Sequence, residues 1–162
     1  MITLRRVSFF DFFLLYKWVN NEEVARLTRL YSKTSIYSHT LWFFRNFRSK
    51  KHILLKIFNV ESYKDLGLIQ LLISENIAEF RIKIIEEGER GKGFGSQAIR
   101  RMLDEIEKYN LTEIYLFVRV DNQQAINLYE KYGFTFSQSA DFISRYSDGQ
   151  VLTKRMTLAL KS

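Results

Sequence analysis

The chain reads as one α/β domain built on a mixed sheet. Three observations carry this reading. Runs with strand character alternate with segments of helical spacing from end to end. Four of only seven glycines (Gly88, Gly91, Gly93, Gly95) crowd into eight residues between a strand-like run and a helical one. The 162 residues suit a single unit with a sizeable core, residues 1–162, with no repeat, low-complexity tract or linker to divide it.

Met1–Val7 reads as the first strand. Ser8 with Asp11 marks a helix start, and Phe12, Leu15, Tyr16 and Val19 give that helix a buried face. A second helix is expected near 38–48, carrying Leu41, Trp42, Phe44 and Phe47. Three strands follow at about 52–60, 66–74 and 77–85, joined by short polar turns. The strongest helical pattern covers 94–109, where Ile99, Met102, Leu103, Ile106 and Tyr109 share one face. Thr112–Val120 reads as a strand, Asn122–Tyr132 as a helix, and 134–142 and 151–160 as the last strands. The predicted order is β-α-α-β-β-β-α-β-α-β-β, seven strands and four helices.

The glycine cluster has a chemical meaning. Without Cβ atoms the backbone turns sharply and lets a ligand reach its N–H groups. Here those groups also sit at the positive end of a helix that starts near Phe94, which makes an anion cradle. A P-loop is excluded, because Gly91-Lys92 is followed by Gly93 and position 86 is Glu where the first glycine should stand. The dinucleotide fingerprint is matched in form by Gly93-Phe94-Gly95-Ser96-Gln97-Ala98. Its context fails, since Ala78–Ile84 alternates apolar with charged residues where a doubly buried strand would be continuously apolar.

The third pattern, R/Q-x-x-G-x-G/A, is met in full by Arg90-x-x-Gly93-x-Gly95. About thirty residues on, Asn122-Gln123-Gln124-Ala125-Ile126-Asn127-Leu128-Tyr129 leads to Tyr132-Gly133-Phe134. Together the two segments resemble the signatures of the GNAT superfamily of acetyl-CoA-dependent N-acetyltransferases, specifically over about 77–136. The resemblance implies a mostly antiparallel mixed sheet of about seven strands flanked by about four helices. It implies acetyl-CoA as co-substrate, held at Arg90, Gly91, Lys92, Gly93, Phe94, Gly95 and Ser96. The pantetheine arm would run along Ile82, Ile84 and Ile85, with Asn122, Ala125 and Tyr129 completing that side.

Mechanistic roles follow from the same resemblance. Tyr129 falls on a tyrosine that resembles a general acid for the CoA sulfur, and a phenol's pKa lies near that of a thiol. Asn122 can cap its helix. For the base, Glu79 is the first candidate, since Ala78-Glu79-Phe80 resembles a segment of polyamine and amino-sugar acetyltransferases. Its bland alternative is one member of a solvated charge ladder with Arg81 and Lys83. Asp141 and His39 stand in reserve, and a base working through water is a further option. Phe117 occupies a place where some ribosomal-protein acetyltransferases carry a glutamate. With no cysteine to carry an acyl group, transfer is expected to be direct, in a ternary complex.

Charge speaks to the acceptor. The formal net charge is +7. Residues 1–60 hold eleven Lys/Arg against three acids, a balance of +8, while the remainder is nearly neutral at −1. In the family this third usually shapes the acceptor site, and Lys17-Trp18-Val19-Asn20 with Ile36, His39, Trp42-Phe43 and Arg45-Asn46 resembles nucleotide-amino-sugar N-acetyltransferases. The resemblance implies a nucleotide-linked amino sugar as acceptor, met by Trp18, Asn20 and His39, and the basic balance leans the same way, toward an anionic amine. A protein N-terminus or a polyamine is the alternative acceptor. A non-enzymatic nucleic-acid surface is a further alternative, because Trp42–Lys51 interleaves aromatics with bases. Two histidines and no cysteine give no metal centre. No apolar run resembles a signal peptide or membrane span, so a cytoplasmic protein without a membrane partner is expected, with a homodimer compatible.

Overall fold

The computed structural model describes residues 1–22, 33–138, 142–146 and 149–160, with side chains described outside 142–151. Strand β1 (Ile2–Arg6) enters a 3-10 turn at Phe9–Asp11 and then helix α1 (Phe12–Val19). The start is a capping box: Asp11 Oδ2 accepts from the Ser8 N–H at 2.7 Å and from its hydroxyl at 2.9 Å. Helix α2 (Ile36–Asn46) is capped by Ser35, whose hydroxyl accepts from the Ser38 N–H. It starts earlier than the 38–48 expected, because the cap is Ser35 and not Ser38.

Strands β2 (His52–Asn59), β3 (Lys64–Ser74) and β4 (Ile77–Ile84) form an antiparallel meander extended by β1. Helix α3 (Phe94–Glu105) crosses over to β5 (Glu113–Arg119), and β4 pairs β5 in parallel, as such a crossover requires. Helix α4 (Gln123–Lys131) follows, then β6 (Thr135–Phe136), β7 (Phe142–Tyr146) and β8 (Gly149–Ala159). The sheet runs β1-β2-β3-β4-β5-β8-β6, with β7 also on β8, and every described pairing except β4–β5 is antiparallel. The single strand expected at 134–142 is two short ones, which is why eight strands stand where about seven were expected. The helix expected over 94–109 is α-helical to Glu105 and closes as a 3-10 turn over Ile106–Tyr109, ending on Asn110 at φ 50°.

Both faces of the sheet are covered, which explains the near-continuous burial of β2: Ile53, Leu54 and Leu55 are all sealed. One face buries Ile53, Leu55, Ile69, Leu71, Phe80 and Ile114 against Ala98, Ile99 and Met102 of α3 and Ile126 of α4. The other buries Leu54, Leu68 and Ile85 against Leu15 and Trp18 of α1 and Phe43 of α2. Along β4 the alternation sends Phe80, Ile82 and Ile84 to the first face, while Lys83 and Ile85 go to the second. Gly67 on β3 permits the closest approach in the meander, since a Cβ there would lie 2.0 Å from the Lys83 carbonyl oxygen.

Candidate active site

The site begins where two strands part. The β4–β5 ladder covers only Ile77–Glu79 against Glu113–Tyr115, and beyond it the strands separate. The Ile85 N–H turns to β3, bonding the Leu66 carbonyl at 2.8 Å. Alternation therefore turns the backbone groups of Ile84 and Ile82 toward the gap on the β5 side. An extended ligand with its own amides can complete such an edge as a third strand would.

The glycine turn adjoins this gap. Gly91 (φ 75°) and Gly93 (φ 81°) are left-handed, and Gly93 is the N-cap of α3. An added Cβ at Gly91 or Gly93 meets nothing within 4 Å, so the turn opens on free space. The first helical bond inward is Gln97 N–H to the Gly93 carbonyl, which leaves the N–H groups of Phe94, Gly95 and Ser96 at the open end. The cradle therefore fits a pyrophosphate by geometry as well as by dipole. Gly95 serves packing, its Cβ position lying 3.7 Å from Leu128 of α4 and 4.0 Å from Ile84.

The side chains around the turn brace it. Arg90 donates from Nε to the Ile84 carbonyl and from its terminal nitrogen to the Ile85 carbonyl, each at 3.0 Å, and so ties the turn to the end of β4. Lys92 pairs with Glu89 at 3.2 Å. The Ser96 hydroxyl lies 2.7 Å from the Tyr132 hydroxyl, which also donates to the Ser96 carbonyl. Asn122 caps α4 by accepting from the Ala125 N–H at 3.1 Å, so both those residues serve the helix start. Tyr129 packs edge-on against Phe134, and its hydroxyl makes no hydrogen bond among the described residues. Burial pushes its phenol up to about 12, so it stays protonated and able to donate.

On the opposite face of β4 lies a cavity of about 330 Å³ between the sheet, α1 and α2. Trp18, His39 and Trp42 wall it, and Gln70, Lys83 and Ile85 form its floor. The structure thus brings Trp18 and His39 together, 4% and 2% exposed respectively. Asn20 is not among the lining residues. It bridges chain segments instead, donating to the carbonyls of Tyr16 (3.2 Å) and Thr34 (3.1 Å) and accepting from the Thr34 N–H (2.8 Å). Glu79 stands on the same sheet face but is bound to Arg81 at 2.6 Å and does not line the cavity. Asp141 lies outside the described residues.

Lys83 is the residue that sequence reasoning missed as a site group. Its ammonium has no hydrogen-bond or ion-pair partner among the described residues, and desolvation followed by repulsion from Arg81 lowers its pKa. No carboxylate stands among the described lining residues. The strand alternation Glu79-Arg81-Lys83 was a usable signal, but not which of the three faces the cavity. In the aromatic and basic run Trp42–Lys51, Phe43 is sealed in the core and Trp42 walls the cavity, while Phe44 stays exposed. Among the described residues no helix is long and apolar enough to cross a membrane.

A parted parallel strand pair beside a glycine turn at a helix N-terminus is the arrangement that the resemblance to acetyl-CoA-dependent N-acetyltransferases implies. The model of the acetyltransferase (GNAT) family matches residues 13–134, and the chain belongs to that family. It is 44% identical over 73 residues to the spermidine N(1)-acetyltransferase of Vibrio cholerae, covering 43% of this chain and 42% of that enzyme. It is 36% identical over 59 residues to the spermine/spermidine N(1)-acetyltransferase of Bacillus subtilis, covering 36% and 39%. These matches span less than half the length of either relative. The whole fold is similar to the crystal structure of the V. cholerae spermidine N-acetyltransferase in complex with CoA and spermine. That likeness has a TM-score of 0.83 at 26% identity, over 98% of this chain and 95% of the other.

Proposed function

We propose that the protein is an N-acetyltransferase that moves the acetyl group of acetyl-CoA to the primary amine of a small molecule, by direct transfer. The observation that carries this reading is the parting of β4 from β5 beside the open turn Gly91–Gly95. Phosphates of CoA would rest on the N–H groups of Phe94, Gly95 and Ser96, and the amides of its arm on Ile82 and Ile84. Acetyl-CoA supplies an activated thioester carbonyl. The chain's own part is to orient that carbonyl by a β4 backbone N–H, to keep Tyr129 protonated as the acid, and to hold the amine in the cavity.

Relatives named for spermidine and spermine support a polyamine acceptor in place of the nucleotide-linked amino sugar expected from resemblance and charge. The faces of Trp18 and Trp42 are suited to an alkylammonium chain. A second reading rests on Lys83: an unpaired cation on a floor without a described carboxylate favours an amine that also carries an anionic group.

The test begins with calorimetric titration of acetyl-CoA into the wild type and Gly93→Glu. Binding is expected in the first and loss of it in the second; equal affinity would sink the cradle assignment. Release of CoA thiol is then followed with spermidine, spermine, a peptide and a nucleotide-linked amino sugar. Turnover on the polyamines supports the first reading. Turnover confined to the anionic amine, and lost in Lys83→Met, supports the second.

A further inference from the structure

His39 is held in one tautomer, and the consequence reaches the reaction. Its Nε2 lies 3.0 Å from the backbone carbonyl of Phe12. A carbonyl only accepts, so Nε2 carries the proton and the neutral ring has a bare lone pair on Nδ1. Phe12 is the first residue of α1, and His39 sits one turn into α2, so two helix frameworks fix the ring. Phe12 meets its edge at a centroid distance of 4.8 Å, and Trp42 stacks on it at 5.8 Å with 29° between planes.

The Nδ1 edge is the informative one. It makes no hydrogen bond among the described residues. Among the described residues the enclosed side-chain atoms without a partner are Asp65 Oδ1 and Arg155 Nε, so the bare Nδ1 keeps some access although His39 is only 2% exposed. The space that the ring lines is the cavity whose floor is formed by Lys83 and Ile85. His52 is the internal contrast, with Nδ1 at 2.6 Å from Asn46 Oδ1 and Nε2 at 3.3 Å from the Gln70 amide, so neither nitrogen is available.

We propose that His39 is the general base of the reaction, its Nδ1 receiving the proton that the acceptor nitrogen sheds as it is acylated. This rests on the reading of the cavity as the acceptor site. The incoming ammonium first loses one proton to solvent. As the C–N bond forms and the C–S bond breaks, the nitrogen gives a second proton to His39 Nδ1, while Tyr129 protonates the sulfur. His39 then returns its proton by way of solvent, which restores the phenol. Phe12 has the orienting part: its carbonyl stabilises the imidazolium formed in passing.

Among the described residues the ionisable groups around the ring are Lys83 across the cavity, Tyr16 of α1 at 5.3 Å, and His52 behind Trp42. None of these is a carboxylate, and burial lowers the His39 pKa despite the opposing pull of the Phe12 carbonyl. The base is thus neutral and ready at neutral pH. The acidic limb of kcat/KM falls below the ordinary histidine value.

Only two histidines exist in the chain, so long-range proton–nitrogen NMR of the full protein reads each ring by itself. His39 is expected as the Nε2-protonated tautomer with Nδ1 bare at pH 7 to 8. Kinetics follow with spermidine, and with the amino sugar if spermidine is inert. His39→Gln should lower kcat/KM by about a hundredfold or more and abolish the acidic limb, with acetyl-CoA affinity unchanged. A proton on Nδ1, or wild-type kcat/KM with the limb intact in His39→Gln, overturns the proposal. Loss of the limb in Lys83→Met instead would transfer the role to that amine. The tautomer is read without any acceptor. A failure to acetylate spermidine therefore counts against the polyamine reading and leaves the His39 result standing.

Discussion

Removing the cation that pairs with Asp11, the N-cap of helix α1, should show how much the cavity wall costs to hold in place. Lys56 Nζ stands 2.7 Å from Asp11 Oδ1 and 2.9 Å from Asp65 Oδ2. The three side chains are only 12%, 11% and 21% exposed. Lys56→Met keeps most of the volume and leaves two enclosed carboxylates without their counter-charge. Asp11 retains its two bonds from Ser8, but Asp65 loses its ion-pair partner, and its Oδ1 already has none. Breaking a buried pair from one side costs about 3–5 kcal/mol. A whole domain holds only about 5–15 kcal/mol. At roughly 2–4 °C per kcal/mol for this size, Tm should fall by roughly 6–20 °C.

The assay is urea unfolding followed by the fluorescence of Trp18 and Trp42, at pH 7 and again in acid. Burial by itself would raise the Asp11 pKa; the bonds from Lys56 and Ser8 outweigh it, and the net shift is downward. A carboxyl depressed in the folded state contributes stability above its unfolded pKa and loses it as pH falls through the folded one. Lys56 is raised, since its two carboxylates outweigh its own desolvation, so its share is lost only as pH climbs through that raised value. The gap between wild type and variant should therefore be widest near neutrality and shrink in acid. Asp11→Asn added to Lys56→Met should recover part of the loss. A gap below about 1 kcal/mol at pH 7, the value of a surface pair, would refute the reasoning.

Three other outcomes follow from Tyr129 and Gly67. Tyr129→Phe keeps the contact with Phe134 and removes only the hydroxyl, so kcat should fall by about a hundredfold while calorimetry finds acetyl-CoA affinity unchanged. With its phenol near 12, no loss of activity between pH 6 and 10 should be traceable to Tyr129, and a basic limb in that range that vanishes in Tyr129→Phe would contradict this. Gly67→Ala would force a Cβ onto the Lys83 carbonyl, and separating β3 from β4 there should cost about 1–3 kcal/mol by thermal melting, with weaker acetyl-CoA binding. Unchanged stability would mean the strands yield where the structure says they cannot.

The order of elements was legible because each carries its own period or cap: Ser8 with Asp11, Asn122 with Ala125, the stripe through Ile99 and Met102. The glycine turn was legible too, since positive φ at Gly91 and Gly93 is a local demand. What escaped were relations between distant stretches. Arg90 reads as a phosphate ligand until the chain is seen doubling back to the carbonyls of Ile84 and Ile85. Ser96 reads as free until Tyr132, thirty-six residues on, is seen closing on it. Glu79 and Lys83 look alike on one strand, but only Lys83 reaches the cavity, because that depends on where α1 and α2 lie above the sheet.

Asn20 joins two points of the chain fourteen residues apart through three bonds with Tyr16 and Thr34. Asn20 is thus a latch between the end of α1 and the segment that leads into α2, and Thr34 itself lines the cavity. Its amide meets one N–H and two carbonyls at once, so Asn20→Ala would hand three backbone groups back to water and loosen the wall at Thr34 without touching the turn at Gly93.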